Sequence, residues 1–278
     1  MENIKPNEVT PSFGVVKSSY DIRDYKIASA TELPEEYSTY KIPVKNQGSI
    51  GSCVAHALST VVEYHHTTLT KSKKTFSTNF IYGYREDDYY KGEGMRVRDA
   101  LKTLRTYGDP YTTDCIGNYH HERAMEMINE NVDKYKELAY PHRISAYFKL
   151  KTADEMKTAI LNNGPIVVTM KWYDDNKLVN NTFTWDDSKG GGYHCVMIYG
   201  WNKDGWLVQN SWGKTYGDKG RFIVPFNFKF TEAWGIVDNI DDTKLMLIKP
   251  DDNKFIHKVY IVINKIANFF INFVDYCR

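Results

Sequence analysis

Gln47-Gly48-Ser49-Ile50-Gly51-Ser52-Cys53-Val54-Ala55-His56-Ala57-Leu58 joins a glycine-rich turn to an apolar run. Val54, Ala57, Leu58, Val61 and Val62 recur at helical spacing, which predicts an amphipathic or largely buried helix from Cys53 to about His66. Cys53 thereby opens the helix. Unpaired backbone N–H groups and the positive end of the helix dipole there favour the thiolate, the reactive form of cysteine. Gly48 and Gly51 let the chain bend sharply ahead of the helix. The Gln47 carboxamide and the Cys53 backbone N–H then converge on a carbonyl oxygen, as an oxyanion hole requires.

A thiol needs a base, and the second half of the chain supplies one. His194 follows the run Gly190-Gly191-Gly192-Tyr193 and opens the apolar stretch Cys195-Val196-Met197-Ile198-Tyr199. Trp206-Leu207-Val208-Gln209 reads as a second strand, ending in the turn Asn210-Ser211-Trp212-Gly213. The Asp204-Gly205 pair between them is a hairpin signal, so two antiparallel strands set His194 beside Asn210. In this arrangement Cys53 attacks a carbonyl carbon and His194 takes the thiol proton, later passing it to the leaving amine. Asn210 accepts an imidazole N–H and orients the ring. Trp212 shields that hydrogen bond from water.

These motifs, in this order, resemble the papain-like cysteine peptidases of the cathepsin group: Gln-Gly-Ser-x-Gly-Ser-Cys, a His-x-Val strand and Asn-Ser-Trp-Gly. His194 follows Cys53 within the roughly 130–150 residues characteristic of that family, and Asn210 lies slightly beyond. The similarity runs from about Leu33 to about Asn239, including Pro43-Val44-Lys45-Asn46-Gln47 and Asn163-Gly164-Pro165-Ile166-Val167-Val168. It implies a papain-like α+β fold in which a helical lobe and an antiparallel β-rich lobe meet at a cleft. It also implies hydrolysis of peptide bonds through a thioester, with Cys53, His194 and Asn210 catalytic and Gln47 in the oxyanion hole. Papain's cysteine has a pKa of about 3–4, and a thiol lowered in the same sense is expected of Cys53. Two positions depart from the pattern. Ile50 stands where the family usually carries a disulfide-forming cysteine, and Val54 where it usually has Trp or Tyr.

Further site residues follow from the same resemblance. Gly191, Gly192 and Trp212 flank the base as candidate substrate contacts, and Asp238 or Asn239 falls near the base of the main specificity pocket. His120-His121 follows a Pro-Tyr and a cysteine, as does the histidine pair that blocks the primed side of the cleft in cathepsin B. The competing reading is an exposed pair at the start of a helix over Glu122 to Leu138. No Cys/His cluster has zinc-ligand spacing, and neither a metal nor another cofactor is expected.

The expected organisation is an arm or short propeptide over 1–32, a catalytic domain over 33–245 and an apolar extension over 246–278. The first 32 residues are poor in hydrophobics and, by the resemblance, too short for the long helical propeptide of many cathepsins, so an inhibitory arm would have to lie across the cleft; the alternative is a disordered or surface-packed tail. Met95 to Thr106 and Thr152 to Asn163 read as helices, the second led by a Thr152/Glu155 capping box. Ile166-Val167-Val168-Thr169-Met170 begins the β-rich lobe.

The 278 residues, 42% of them hydrophobic, suffice for one domain or two tightly packed lobes and are expected to act as a monomer. A net charge of +1 and the lack of a glycine-rich phosphate loop argue against nucleic acid as the main partner. Of the four cysteines, Cys53 is assigned to catalysis and Cys195 to the core, which leaves no full disulfide framework. The N-terminus lacks the apolar stretch of a secretory signal, so a reducing, cytoplasmic setting is the default expectation.

The segment from Val259 to Val274 is strongly apolar, with Asn264, Asn268 and Asn272 forming a polar stripe at intervals of four. An amphipathic helix fits it, for association with a membrane, packing on the enzyme or binding a partner. Lys265 and the asparagines make full insertion expensive. Besides the peptidase, two alternatives carry weight: a Cys-His-Asn acyltransferase or isopeptidase, and a catalytically silent scaffold tethered by its tail.

Overall fold

The computed structural model describes residues 13–18, 26–27, 32–85, 93–115, 121–238 and 247–248. Strands β1 (Lys26–Ile27) and β2 (Tyr37–Ser38) precede four helices. These are α1 (Cys53–Thr70), α2 (Thr78–Gly83), α3 (Val97–Thr106) and α4 (His121–Ala139). Strand β3 (Ala146–Leu150) and helix α5 (Ala153–Asn163) lead into β4 (Ile166–Tyr173), β5 (Lys177–Val179) and β6 (Thr182–Thr184). Then come β7 (Gly191–Asn202), β8 (Gly205–Gln209), β9 (Arg221–Val224), β10 (Glu232–Val237) and β11 (Leu247–Ile248). Among the described residues one nine-stranded sheet runs β3-β10-β4-β7-β8-β9-β6-β5, with β2 added on β7, and β1 pairs separately with β11. All its pairings are antiparallel except β6 with β9. The fold is α+β, with the helices α1 to α4 gathered on one side in sequence and space.

The central strands divide their side chains between two cores because successive residues point to opposite faces of a sheet. Cys195, Met197 and Tyr199 of β7, with Val167, Trp234 and Ile236, pack on α1, α2 and α3. Val196 and Ile198, with Val168, Ala233 and Val237, face the second core, built with α5, Trp201, Trp206 and Phe222. Helix α1 lies directly against β7, which explains why every residue from Cys53 to Glu63 is buried. Between Cys53 and Glu63 the polar side chains are satisfied within that core, whereas His65 Nε2 and His66 Nε2 further along α1 make no hydrogen bond among the described residues. Thr60 Oγ1 donates to the His56 carbonyl, Ser59 Oγ to the Phe76 carbonyl, and Glu63 forms a 2.8 Å ion pair with Lys45.

Two helix boundaries depart from the sequence reading. Helix α1 continues past His66 to Thr70, where Lys71 closes it in the left-handed conformation. The hydroxyls of Thr68 and Thr70 bond back to the carbonyls of Tyr64 and His66, so this exposed end holds without an apolar stripe. Helix α3 starts at Val97 rather than Met95, because Met95 is drawn into an extended bridge with Val15 of the N-terminal arm. The Thr152/Glu155 capping box, by contrast, forms as its residues predict: Glu155 N–H donates to Thr152 Oγ1 and Thr152 N–H to Glu155 Oε2. The apolar tail from Val259 to Val274 lies outside the described residues.

Candidate active site

Cys53 is the first residue of α1, reached through a turn in which Gly48 adopts φ +62°. The turn is tied on both sides: Gly51 N–H donates to Glu93 Oε2 at 2.8 Å and Ser52 N–H to the Ile50 carbonyl at 2.8 Å. Gln47 is fixed from the opposite lobe. Its backbone N–H donates to the Ser211 carbonyl, its Oε1 accepts from Ser211 Oγ at 2.6 Å, and its Nε2 donates to the Ile50 carbonyl. The Ile50 carbonyl, which only accepts, thus settles which side of the carboxamide is the donor.

His194 projects from β7 and Asn210 follows β8, the two strands being joined by the predicted hairpin. His194 Nε2 lies 2.7 Å from Asn210 Oδ1, which also accepts from Ser211 N–H at 2.8 Å. An amide oxygen only accepts, so Nε2 carries the proton and Nδ1 the lone pair. Nδ1 is buried and makes no hydrogen bond among the described residues. The ring is roofed by Trp212, centroids 4.5 Å apart, and edged by Trp172 at 5.4 Å. Both indoles are buried, and the pair keeps water from the His194–Asn210 bond.

The N-terminal arm crosses this site. Met95 N–H donates to the Gly14 carbonyl at 2.9 Å, Val16 N–H donates to the Met95 carbonyl at 3.0 Å, and Ser18 N–H reaches Glu232 Oε1 at 2.6 Å. The Phe13 ring lies on Gly192, where an added Cβ would sit 2.3 Å from it. Gly14 passes so close to the turn before Cys53 that a Cβ on it would sit 1.7 Å from the Gly51 carbonyl oxygen.

Burial decides the protonation state. It pushes the Cys53 thiol up from 9.0 to about 11, although the peptide N–H groups of Cys195, Gly14 and Val54 favour the thiolate. It also pushes His194 down to about 4, against the bond to Asn210. The lowered thiol expected from the sequence is therefore absent in this state: with the arm in place the thiol and the imidazole are both neutral. A helix N-terminus cannot offset the loss of solvent over a fully covered sulphur.

A match to the family model of papain family cysteine proteases spans residues 33–234. The chain belongs to the papain family of cysteine proteases. An uncharacterized peptidase C1-like protein of Acanthamoeba polyphaga mimivirus is 22% identical over 278 residues, covering 90% of this chain and 81% of its own length. A cathepsin B-like cysteine proteinase of Haemonchus contortus is 28% identical over 140 residues, 47% of this chain and 41% of that protein. Xylellain, a cysteine protease from Xylella fastidiosa, shares the fold with a TM-score of 0.72 at 22% identity, over 85% of this chain and 99% of that structure.

The remaining candidates of this papain-family site are placed unevenly. Gly191, at φ +147° with the Trp172 carbonyl oxygen 1.9 Å from where a Cβ would stand, can only be glycine. Gly192 lies beneath the Phe13 ring, and the buried Trp212 stacks on the His194 ring. A pocket of about 500 Å³ continues from there, walled by Phe13, Trp172, Lys177, Trp212 and Tyr216. Asp238, just beyond β10, has its carboxyl pushed up by burial to about 6. His121 begins α4; His120 and Asn239 lie outside the described residues. Sequence reading gave no role to Trp172, to Phe13 and Gly14, or to Ser211 as the anchor of Gln47. Of these only Ser211 had a sequence signal, its place in Asn210-Ser211-Trp212-Gly213.

Proposed function

We propose that this protein is a cysteine endopeptidase in which Cys53, His194, Asn210 and Gln47 act together on a polypeptide and residues 13–18 hold the enzyme dormant. The observation that carries the reading is the His194 ring, held through Nε2 by Asn210 with its Nδ1 lone pair kept for the thiol proton. Once solvent or substrate replaces the arm, His194 takes that proton and the thiolate adds to the carbonyl carbon. The Cys53 N–H and Gln47 Nε2 receive the developing oxyanion. The amine leaves with the proton from His194, and water hydrolyses the thioester.

The arm escapes cleavage for a geometric reason. Its Gly14 presents an N–H to the sulphur, while its carbonyl is turned to Met95 N–H and away from the oxyanion donors. Treatment with an irreversible cysteine-directed epoxide, followed by mass spectrometry, tests the reading. Strong labelling of Cys53 only after the arm is displaced is the expected result, with Cys53→Ala as control. No labelling of a folded, arm-displaced protein overturns it, and product analysis separates hydrolysis from acyl transfer.

We also propose that the apolar tail brings this enzyme to a membrane surface from a cytoplasmic location. The asparagine stripe of residues 264, 268 and 272 supports this. Among the described residues no helix is long and apolar enough to cross a membrane. Co-flotation of the full chain with phospholipid vesicles is expected; recovery of a monomer in the lipid-free fraction rules it out.

A further inference from the structure

The N-terminal arm does not end at the cleft. Beyond Ser18, whose N–H is held by Glu232 at the start of β10, the described chain resumes at β1, which lies against β3 and α5. Strand β3 is the neighbour of β10 in the large sheet, so the arm leads from the thiol past β10 to the β3 edge. There β1 takes a partner from the far end of the chain. It pairs antiparallel with β11, Lys26 opposite Ile248 and Ile27 opposite Leu247. Among the described residues the next tie after β1 is at Pro34, whose carbonyl accepts from Trp201 Nε1 at 3.1 Å.

The length of chain between fixed points governs how firmly such an arm stays docked. With β1 held, residues 19–25 connect Ser18 to the enzyme; with β1 released, residues 19–33 do, which is about twice the length. The effective concentration of a tethered segment falls roughly as the −3/2 power of tether length, so this doubling weakens docking about threefold. A pair of two-residue strands is marginal by itself, and neither strand takes part in the nine-stranded sheet. The pair can therefore open while the catalytic fold stays intact.

We propose that β11 is a latch on the dormant state: by pairing with β1 it shortens the connection to residues 13–18 and holds them over Cys53. Withdrawal of the C-terminal segment from β1 then loosens the arm and uncovers the thiol. This rests on the reading of residues 13–18 as the arm that keeps the enzyme dormant, and it adds what governs that arm. The coupling is reciprocal, because an arm that has left the cleft no longer constrains β1 and so weakens the β1–β11 pair. In sequence β11 precedes the apolar run from Val259 to Val274, so the latch lies on the segment through which that run joins the enzyme.

The test follows iodoacetamide alkylation of Cys53 at pH 7 by mass spectrometry in the full chain, with thermal melts to establish folding. The double substitution Leu247→Pro/Ile248→Pro removes both peptide donors of β11 and should speed alkylation about threefold. Ile27→Cys/Leu247→Cys sets two thiols at opposed positions, where Cα atoms of an antiparallel pair lie about 4.5–5.5 Å apart, within the span of a disulfide. With that disulfide closed the protein should react no faster than wild type, and opening it with a reductant, then removed, should speed the reaction. Gly14→Val, which displaces the arm directly, is the comparison, and hydrogen exchange at the Leu247 and Ile248 amides should quicken in it. A folded double-proline protein alkylated at the wild-type rate, beside a fast Gly14→Val, overturns the latch and leaves the dormant arm standing. Gly14→Val at the wild-type rate overturns the dormant reading and the latch with it.

Discussion

At the scale of the residue, Cys53 shows how far environment outweighs local position. The same N–H groups that make a helix N-terminus favourable for a thiolate are present, yet burial leaves the thiol at about 11. Alkylation of Cys53 by iodoacetamide in the full chain should therefore be slow at pH 7 and rise only as pH climbs toward 11. A rate already at its plateau by pH 6 would contradict the neutral pair. Asp109 makes a second case. Fully buried, its carboxyl is held well above the ordinary 3.8, chiefly by desolvation, with Lys45 opposing and Glu63 reinforcing the shift. A carboxyl raised in the folded state contributes stability that is complete below pH about 3.8 and is lost as pH rises through the folded value. Asp109→Asn should thus gain stability relative to wild type between pH 4 and pH 8. Urea melts showing a pH-independent difference would refute this.

At the scale of the element, the arm and α1 are held by different means. Besides its hydrogen bonds to Met95 and Glu232, the arm packs Val15 and Val16 on the first core and Phe13 on the second, and it depends on Gly14 passing the Gly51 carbonyl. Gly14→Val leaves no room for that passage. It should lift the arm and raise Cys53 alkylation at pH 7 by at least about tenfold, since exposure restores the thiolate. An unchanged rate would show that the arm does not control the thiol. Helix α1 is locked by the Lys45–Glu63 pair, whose lysine also donates to Ser59 Oγ and the Phe76 carbonyl. Lys45→Ala leaves Glu63 buried without its cation and should cost about 3–5 kcal/mol, measured by denaturant unfolding. A loss below about 1 kcal/mol would mean that water reaches the site.

At the scale of the whole molecule, the two lobes share a sheet. Alternate residues of β4, β7 and β10 belong to opposite cores, so neither core can melt without uncovering the other. All six tryptophans lie at or beyond Trp172 and report the β-rich lobe, whereas far-UV circular dichroism is dominated by the helices. The two signals should trace one coincident denaturation curve, and separated midpoints would show the lobes unfolding independently.

Helices α1, α3, α4 and α5, the hairpin that sets His194 beside Asn210 and the place of Cys53 at a helix N-terminus were readable from the chain because each is set by local chemistry. Helical spacing places Cys53 at an N-terminus, an Asp-Gly turn pairs two strands, and a capping box starts α5. What only the tertiary structure decided depends on residues far apart in sequence. Gly14 meets Gly51 and Met95, Ser211 anchors the Gln47 amide, and β1 pairs with β11. Periodicity carries no signal for such meetings. The protonation state of Cys53 is the clearest instance, since a pKa follows from the solvent and partners around a group, and those exist only once the chain has folded over it.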